Sequence, residues 1–111
     1  MLKIIDKNDV KIASFIESDR LNITIADKVK QQLNDLFKIK KSKVILDLEN
    51  VQFIDSSGFA VLISALKVSR KSESKFVICN INNEVMELVE LMKLDSIFDI
   101  QKDIKSALSC I

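Results

Sequence analysis

The chain has 111 residues, 48% apolar and 30% charged, and a formal net charge of +1. That balance, with six Phe and no Tyr or Trp, argues against a nucleic-acid binder, which needs a basic field and stacking rings. Histidine is absent, which excludes Ser-His-Asp and Cys-His catalysis and histidine-ligated metals, so neither an enzyme nor a cofactor is expected.

The start, Met1 to Asp6, lacks the apolar core of a secretion signal. No apolar run approaches the ~20 residues of a spanning helix. Cys79 and Cys110 form no metal-ligand pattern and are expected to be reduced, so the expected address is cytoplasmic with no membrane contact. A single domain over residues 1–111 follows from the length, burying roughly 65% of its unfolded surface.

Residues 2–5 predict a short strand, Lys7-Asn8-Asp9 a turn, and the alternation over 10–16 a second strand. Glu17 to Arg20 breaks the pattern. Thr24 is a candidate N-cap for an amphipathic helix carrying Ile25, Val29, Leu33, Leu36 and Phe37. The basic run Lys38 to Lys43 reads as a solvated helix end. Lys43 to Leu48 predicts a strand covered on both faces. After Asp55-Ser56-Ser57-Gly58, the residues Phe59, Leu62, Ile63, Leu66 and Ser69 share one helical face, and the polar stretch Arg70 to Ser74 ends that helix.

Residues 75–79 predict another strand. Asn82 or Asn83 would cap a third helix with Val85, Leu88, Val89 and Met92 inward. A short strand over 97–100 and a last helix over 103–110, bearing Ile104, Ala107 and Leu108, complete the chain. The expected fold is α/β: an opening hairpin, then alternating strands and helices with a mixed, mainly parallel central sheet and about four helices. Function in such sheets collects at the carboxyl ends of strands.

Gly58 is the chain's only glycine, and it follows two hydroxyls at a predicted strand-to-helix turn. Such a turn leaves backbone N–H groups free for a cap, an anion or a modified hydroxyl. Capping by Ser56 is the plain structural reading. Nucleophilic catalysis lacks a base and the Gly-x-Ser-x-Gly pattern. A phosphoserine is the third reading: about −1.5 to −2 charges that a helix N-terminus tolerates and a partner packed over it does not.

The strand, the phrase Val51-Gln52-Phe53-Ile54-Asp55-Ser56-Ser57-Gly58 and the apolar helix after it resemble the anti-sigma factor antagonists, which are single STAS domains. The resemblance covers nearly the whole chain. It implies binding to an anti-sigma factor serine kinase, release of the sigma factor, and phosphorylation of Ser56 that ends the binding. A PP2C-type phosphatase would restore the bare serine. Asp55 would shape the site, and Ser57 and Gly58 would form the helix start that the kinase grips. The family's G-x-L-D-like loop matches Asp19-Arg20-Leu21-Asn22, with Asp19 in place of glycine and Asn22 in place of aspartate, so Arg20 and Asn22 join the expected partner contacts. STAS domains also serve as constitutive scaffolds or subunits of stress-signalling and lipid-transport complexes, in which Ser56 would only cap a helix. The oligomeric state stays open.

Overall fold

Residues 2–111 are described by a computed structural model. The opening hairpin comprises β1 (Leu2–Lys7) and β2 (Val10–Phe15), antiparallel with Leu2 opposite Phe15. Asn8 and Asp9 close it with φ of 51° and 66°. These two residue types visit the left-handed region at little cost, which a two-residue hairpin turn requires. β4 (Lys43–Asp47), β6 (Lys75–Cys79) and β7 (Asp99–Gln101) then add in parallel, giving the order β1-β2-β4-β6-β7. β1 and β7 are therefore the edges.

The helices are α1 (Ala26–Leu36), α2 (Ser56–Lys71), α3 (Asn83–Leu91) and α4 (Ile104–Cys110). The first three cover one sheet face. Their buried residues Val29, Leu33, Phe59, Leu62, Ala65, Val85 and Val89 join Ala13, Phe15, Val44, Leu46, Phe76 and Ile78 in one core. α4 covers the other face, where Ala107 meets Val10, Ile12, Ile45, Val77 and Cys79. β4 is thus buried on both sides, as its apolar centre Val44-Ile45-Leu46 predicts. Phe37 and Phe76 meet edge to face, centroids 5.6 Å apart, and tie the end of α1 to the sheet.

Several expectations are corrected. α1 begins after Ile25, with no side-chain cap, and Thr24 lies in the preceding turn. Thr24 spends its own N–H on the Asn22 side chain, 3.1 Å away, in a local Asx turn. α2, by contrast, ends within the polar stretch as expected, at Lys71, and Arg70 and Lys71 suit the negative end of a helix dipole. On α3, Leu88 and Met92 face solvent, because only the stripe through Val85 and Val89 reaches the sheet. Ile97 closes a single 3-10 turn (Leu94–Ser96), and the last strand starts two residues later, at Asp99.

Two short strands escape the sequence pattern. β3 (Arg20–Leu21) and β5 (Phe53–Ile54) pair in parallel as a separate ladder, Arg20 opposite Phe53 and Leu21 opposite Ile54. Two-residue strands are too short to show a period. Because β2, β4 and β6 run parallel, the segments after them emerge at one end of the sheet. Hydrogen bonds knit them there: Gln52 N–H to the Asp19 carbonyl at 2.6 Å, Asn80 Nδ2 to Asp47 Oδ1 at 2.9 Å, and Asn82 Nδ2 to the Val51 carbonyl at 3.1 Å.

Candidate functional site

The first turn of α2 lies at this end. Asp55 is the N-cap: its extended backbone, φ −95° and ψ −175°, aims Oδ1 at the Gly58 N–H, 3.0 Å away. The capping role expected of Ser56 therefore belongs to Asp55, and Ser56 is the first helical residue. The reason is geometric: an N-cap side chain must reach the N–H three residues on, and from Ser56 the helix has already begun.

The two serines part company here. The Ser57 hydroxyl donates to Asp55 Oδ1 at 2.5 Å. Ser56 is exposed, and its hydroxyl has no hydrogen-bond partner among the described residues. The Ser57 hydroxyl, followed by the Gly58 N–H, holds the Asp55 carboxyl below the usual aspartate range. The carboxylate is ionised near neutral pH, beside the free hydroxyl.

Gly58 is not conformationally special, since its φ is not positive. It is required by contact. A Cβ there would lie under 3.0 Å from the Leu21 carbonyl oxygen and from the side chains of Ile54 and Leu21. The β3 strand thus lies directly on the first turn of α2, and the Asp55 N–H reinforces this by donating to the Leu21 carbonyl at 3.2 Å.

The same approach brings the 19–25 segment to the site. Arg20 lies with its guanidinium carbon 5.2 Å from the centre of the Phe53 ring, a cation–π geometry on the surface. Arg20 also faces Asp19 at 3.7 Å, both largely exposed, an ion pair of little energetic weight. Asn22 turns its side-chain oxygen to the Thr24 N–H, which shapes this segment locally. Of the six residues singled out from the sequence, Asp55, Ser56, Ser57 and Gly58 form the turn, and Arg20 and Asn22 line the adjoining segment. Sequence reasoning missed Ile23, 78% exposed, and Phe53, 56% exposed. Both lie among other apolar residues, so no local signal set them apart.

No group of three or more His, Cys, Asp or Glu able to hold a metal occurs among the described residues. No helix among them is long and apolar enough to cross a membrane. Cys79 is buried beneath α4, and desolvation, followed by the nearby Asp47, pushes its thiol up to about 12, so it is protonated and inert.

The STAS domain family model matches residues 10–107. The chain belongs to the STAS domain family. It is similar to the anti-sigma F factor antagonist of Paenibacillus polymyxa, 27% identical over 93 residues that make up 83% of this chain and 80% of that one. The anti-sigma-B factor antagonist of Listeria monocytogenes is 26% identical over 98 residues, 87% of this chain and 85% of the relative. Among solved structures, an anti-sigma-factor antagonist (STAS) domain protein from Planctomyces limnophilus superposes with a TM-score of 0.89 at 20% identity, covering 98% of this chain and 96% of that one. At that identity the likeness concerns the fold. The STAS domain family has helices flanking a mainly parallel sheet, as found here.

Proposed function

We propose that this STAS domain is an anti-sigma factor antagonist, a binding protein rather than an enzyme, switched by phosphorylation of Ser56. One observation carries the reading: of two adjacent serines, only Ser56 offers an exposed, unengaged hydroxyl, on a turn made rigid by the Asp55 cap and the Leu21 contact. The names of the Paenibacillus and Listeria relatives support the partner class.

The bare form docks on an anti-sigma factor serine kinase and displaces the sigma factor from it. Arg20 and Asn22, with the 55–58 turn, belong to the contact. The kinase transfers a phosphoryl group to Ser56 Oγ. The helix N-terminus accommodates the new charge, by about 0.3–1 kcal/mol, so the fold persists. The partner does not accommodate it, because closing over the turn would strip water from a dianion lying beside the Asp55 carboxylate. A PP2C-type phosphatase restores the binding form. The action is cytoplasmic, and no nucleic acid is touched directly.

Ser56→Asp should weaken kinase binding by more than about 2 kcal/mol, the scale of an unpaired interfacial charge. Ser56→Ala should keep most of the binding and abolish phosphorylation. It should also leave the melting temperature nearly unchanged, because Asp55 and not Ser56 is the cap. Isothermal titration and mass-spectrometric site mapping after incubation with kinase and ATP read both. Phosphate on Ser57, or on no serine, would overturn the assignment.

A further inference from the structure

Helix capping needs one acceptor, and Asp55 Oδ1 supplies it. The second oxygen, Oδ2, accepts from the Ile23 N–H at 3.3 Å, across 32 residues of chain. The Ile23 side chain is 78% exposed and its neighbour Thr24 is also exposed, so their own side chains do not fix this stretch, which lies between the buried Leu21 and Ile25. Leu21, two residues earlier, is fully buried and paired with Ile54. The ladder ends at that pair, and the Ile23 N–H then reaches Asp55, the residue that precedes Ser56. Ile23 also lines a groove of about 360 Å³ with Ala26, Asp27, Lys30, Ser57 and Ala60, between α1 and α2.

We propose that Asp55 is a positioning residue whose second carboxylate oxygen holds the Ile23 segment against the first turn of α2, so that Ile23 and Ser56 meet one partner surface together. This rests on reading Ser56 as the partner switch. An apolar side chain held in place before the encounter contributes more to binding, because its ordering is not left to the complex. Isoleucine packed into a partner pocket would serve as an anchor, with Phe53 as a second apolar contact on the paired strand. Burial of Ile23 would close the partner over Ser56 as well, so the same contact that gains the anchor excludes water from the phosphate.

Asp55→Asn separates the two roles in the full-length chain. The amide keeps an acceptor for Gly58 but turns its NH2 toward the Ile23 N–H, so two donors face each other. Asparagine caps about as well as aspartate but carries no charge, so the thermal midpoint near neutral pH should fall by less than in Asp55→Ala. Exchange of the Ile23 amide, followed by NMR, should accelerate by about tenfold or more while the Gly58 amide stays protected. Asp55→Ala should lose both. In binding to the purified anti-sigma factor kinase of the same genome, Asp55→Asn and Ile23→Ser should each cost on the order of tenfold. The double variant should be no weaker than Ile23→Ser alone, because both act through one contact. Unaltered Ile23 exchange in Asp55→Asn, or fully additive losses, overturns the proposal. If the wild-type chain ignores the kinase while Ile23 exchange responds as stated, the partner reading fails and the clasp stands.

Discussion

Two aspartates in this protein do the same local job in different surroundings. Asp55 caps α2 through the Gly58 N–H at 3.0 Å, and Asp103 caps α4 through the Ser106 N–H at 2.8 Å. Hydrogen bonds hold both carboxyls below their ordinary range: the Ser57 hydroxyl first for Asp55, the Ser106 N–H first for Asp103. Beyond that they diverge. Asp103 serves one helix of seven residues and is followed by Ile104, which packs into the second core. Asp55 is followed by an exposed hydroxyl, accepts a hydrogen bond from the Ser57 hydroxyl, and reaches a segment from elsewhere in the chain. A cap by itself marks a helix start. At Asp55 the spare oxygen also joins two segments beside a free hydroxyl, which is what the proposed switch uses.

The sharpest way to break this contrast is at Gly58, which has no counterpart at α4. Gly58→Ala should destabilise the protein by about 1–3 kcal/mol in urea unfolding, the usual cost of overpacking. The strand at Leu21 must move away, which outweighs the ~1 kcal/mol that alanine gains in helix propensity. Equal or greater stability would show that β3 gives way freely and that the close approach is incidental.

Acid separates the caps next. A carboxyl whose folded pKa is lowered stabilises the native state at all pH values above its unfolded pKa. That contribution is lost as pH falls from about 4, the ordinary aspartate value, through the lowered folded value. The urea midpoint should therefore decline below about pH 4, with Asp55→Asn and Asp103→Asn each removing part of the decline. Ser57→Ala should raise the Asp55 carboxyl toward its ordinary value and leave Asp103 unmoved, as read by carbon-detected NMR titration. An Asp55 titration indifferent to Ser57 would remove the structural distinction between the two serines.

The mildest effect is at Cys79, which lies under α4. With iodoacetamide near neutral pH, the exposed Cys110 should be alkylated and Cys79 spared. Asp103→Ala should fray α4 and speed labelling of Cys79, whereas Asp55→Ala should not. Equal labelling in the two variants would mean that the caps act globally rather than on their own helices.

Much of this architecture is legible in the amino-acid order. The apolar run Val44-Ile45-Leu46, with Leu48 after Asp47, announced a doubly covered strand, and Ile25, Val29, Leu33 and Phe37 marked the inner face of α1. The lone glycine drew attention to the 55–58 turn. What the order hid has physical causes. β3 and β5 have two residues each, below the length at which a period exists. Leu88 and Met92 fit a helical stripe, but the stripe that packs is set by how α3 lies on the sheet. The cap fell to Asp55 rather than Ser56 because the helix starts earlier than its apolar face does. Ile23 escaped because its backbone is fixed by a side chain distant in sequence, and no local pattern encodes that.

The outer strand β1 offers an open row of backbone donors and acceptors, with Ile4 and Ile5 exposed on its two sides. A flat, apolar border of this kind recruits other chains into fibrils or tangled oligomers. Lys3, Asp6 and Lys7 interrupt it with charge, and the Lys11–Asp6 pair at 3.3 Å keeps one of those charges in place. At the opposite border, β7 has three residues, too few to template much. Charge on an outer strand disfavours pairing with a second copy, and in β1 that charge comes from Lys3, Asp6 and Lys7.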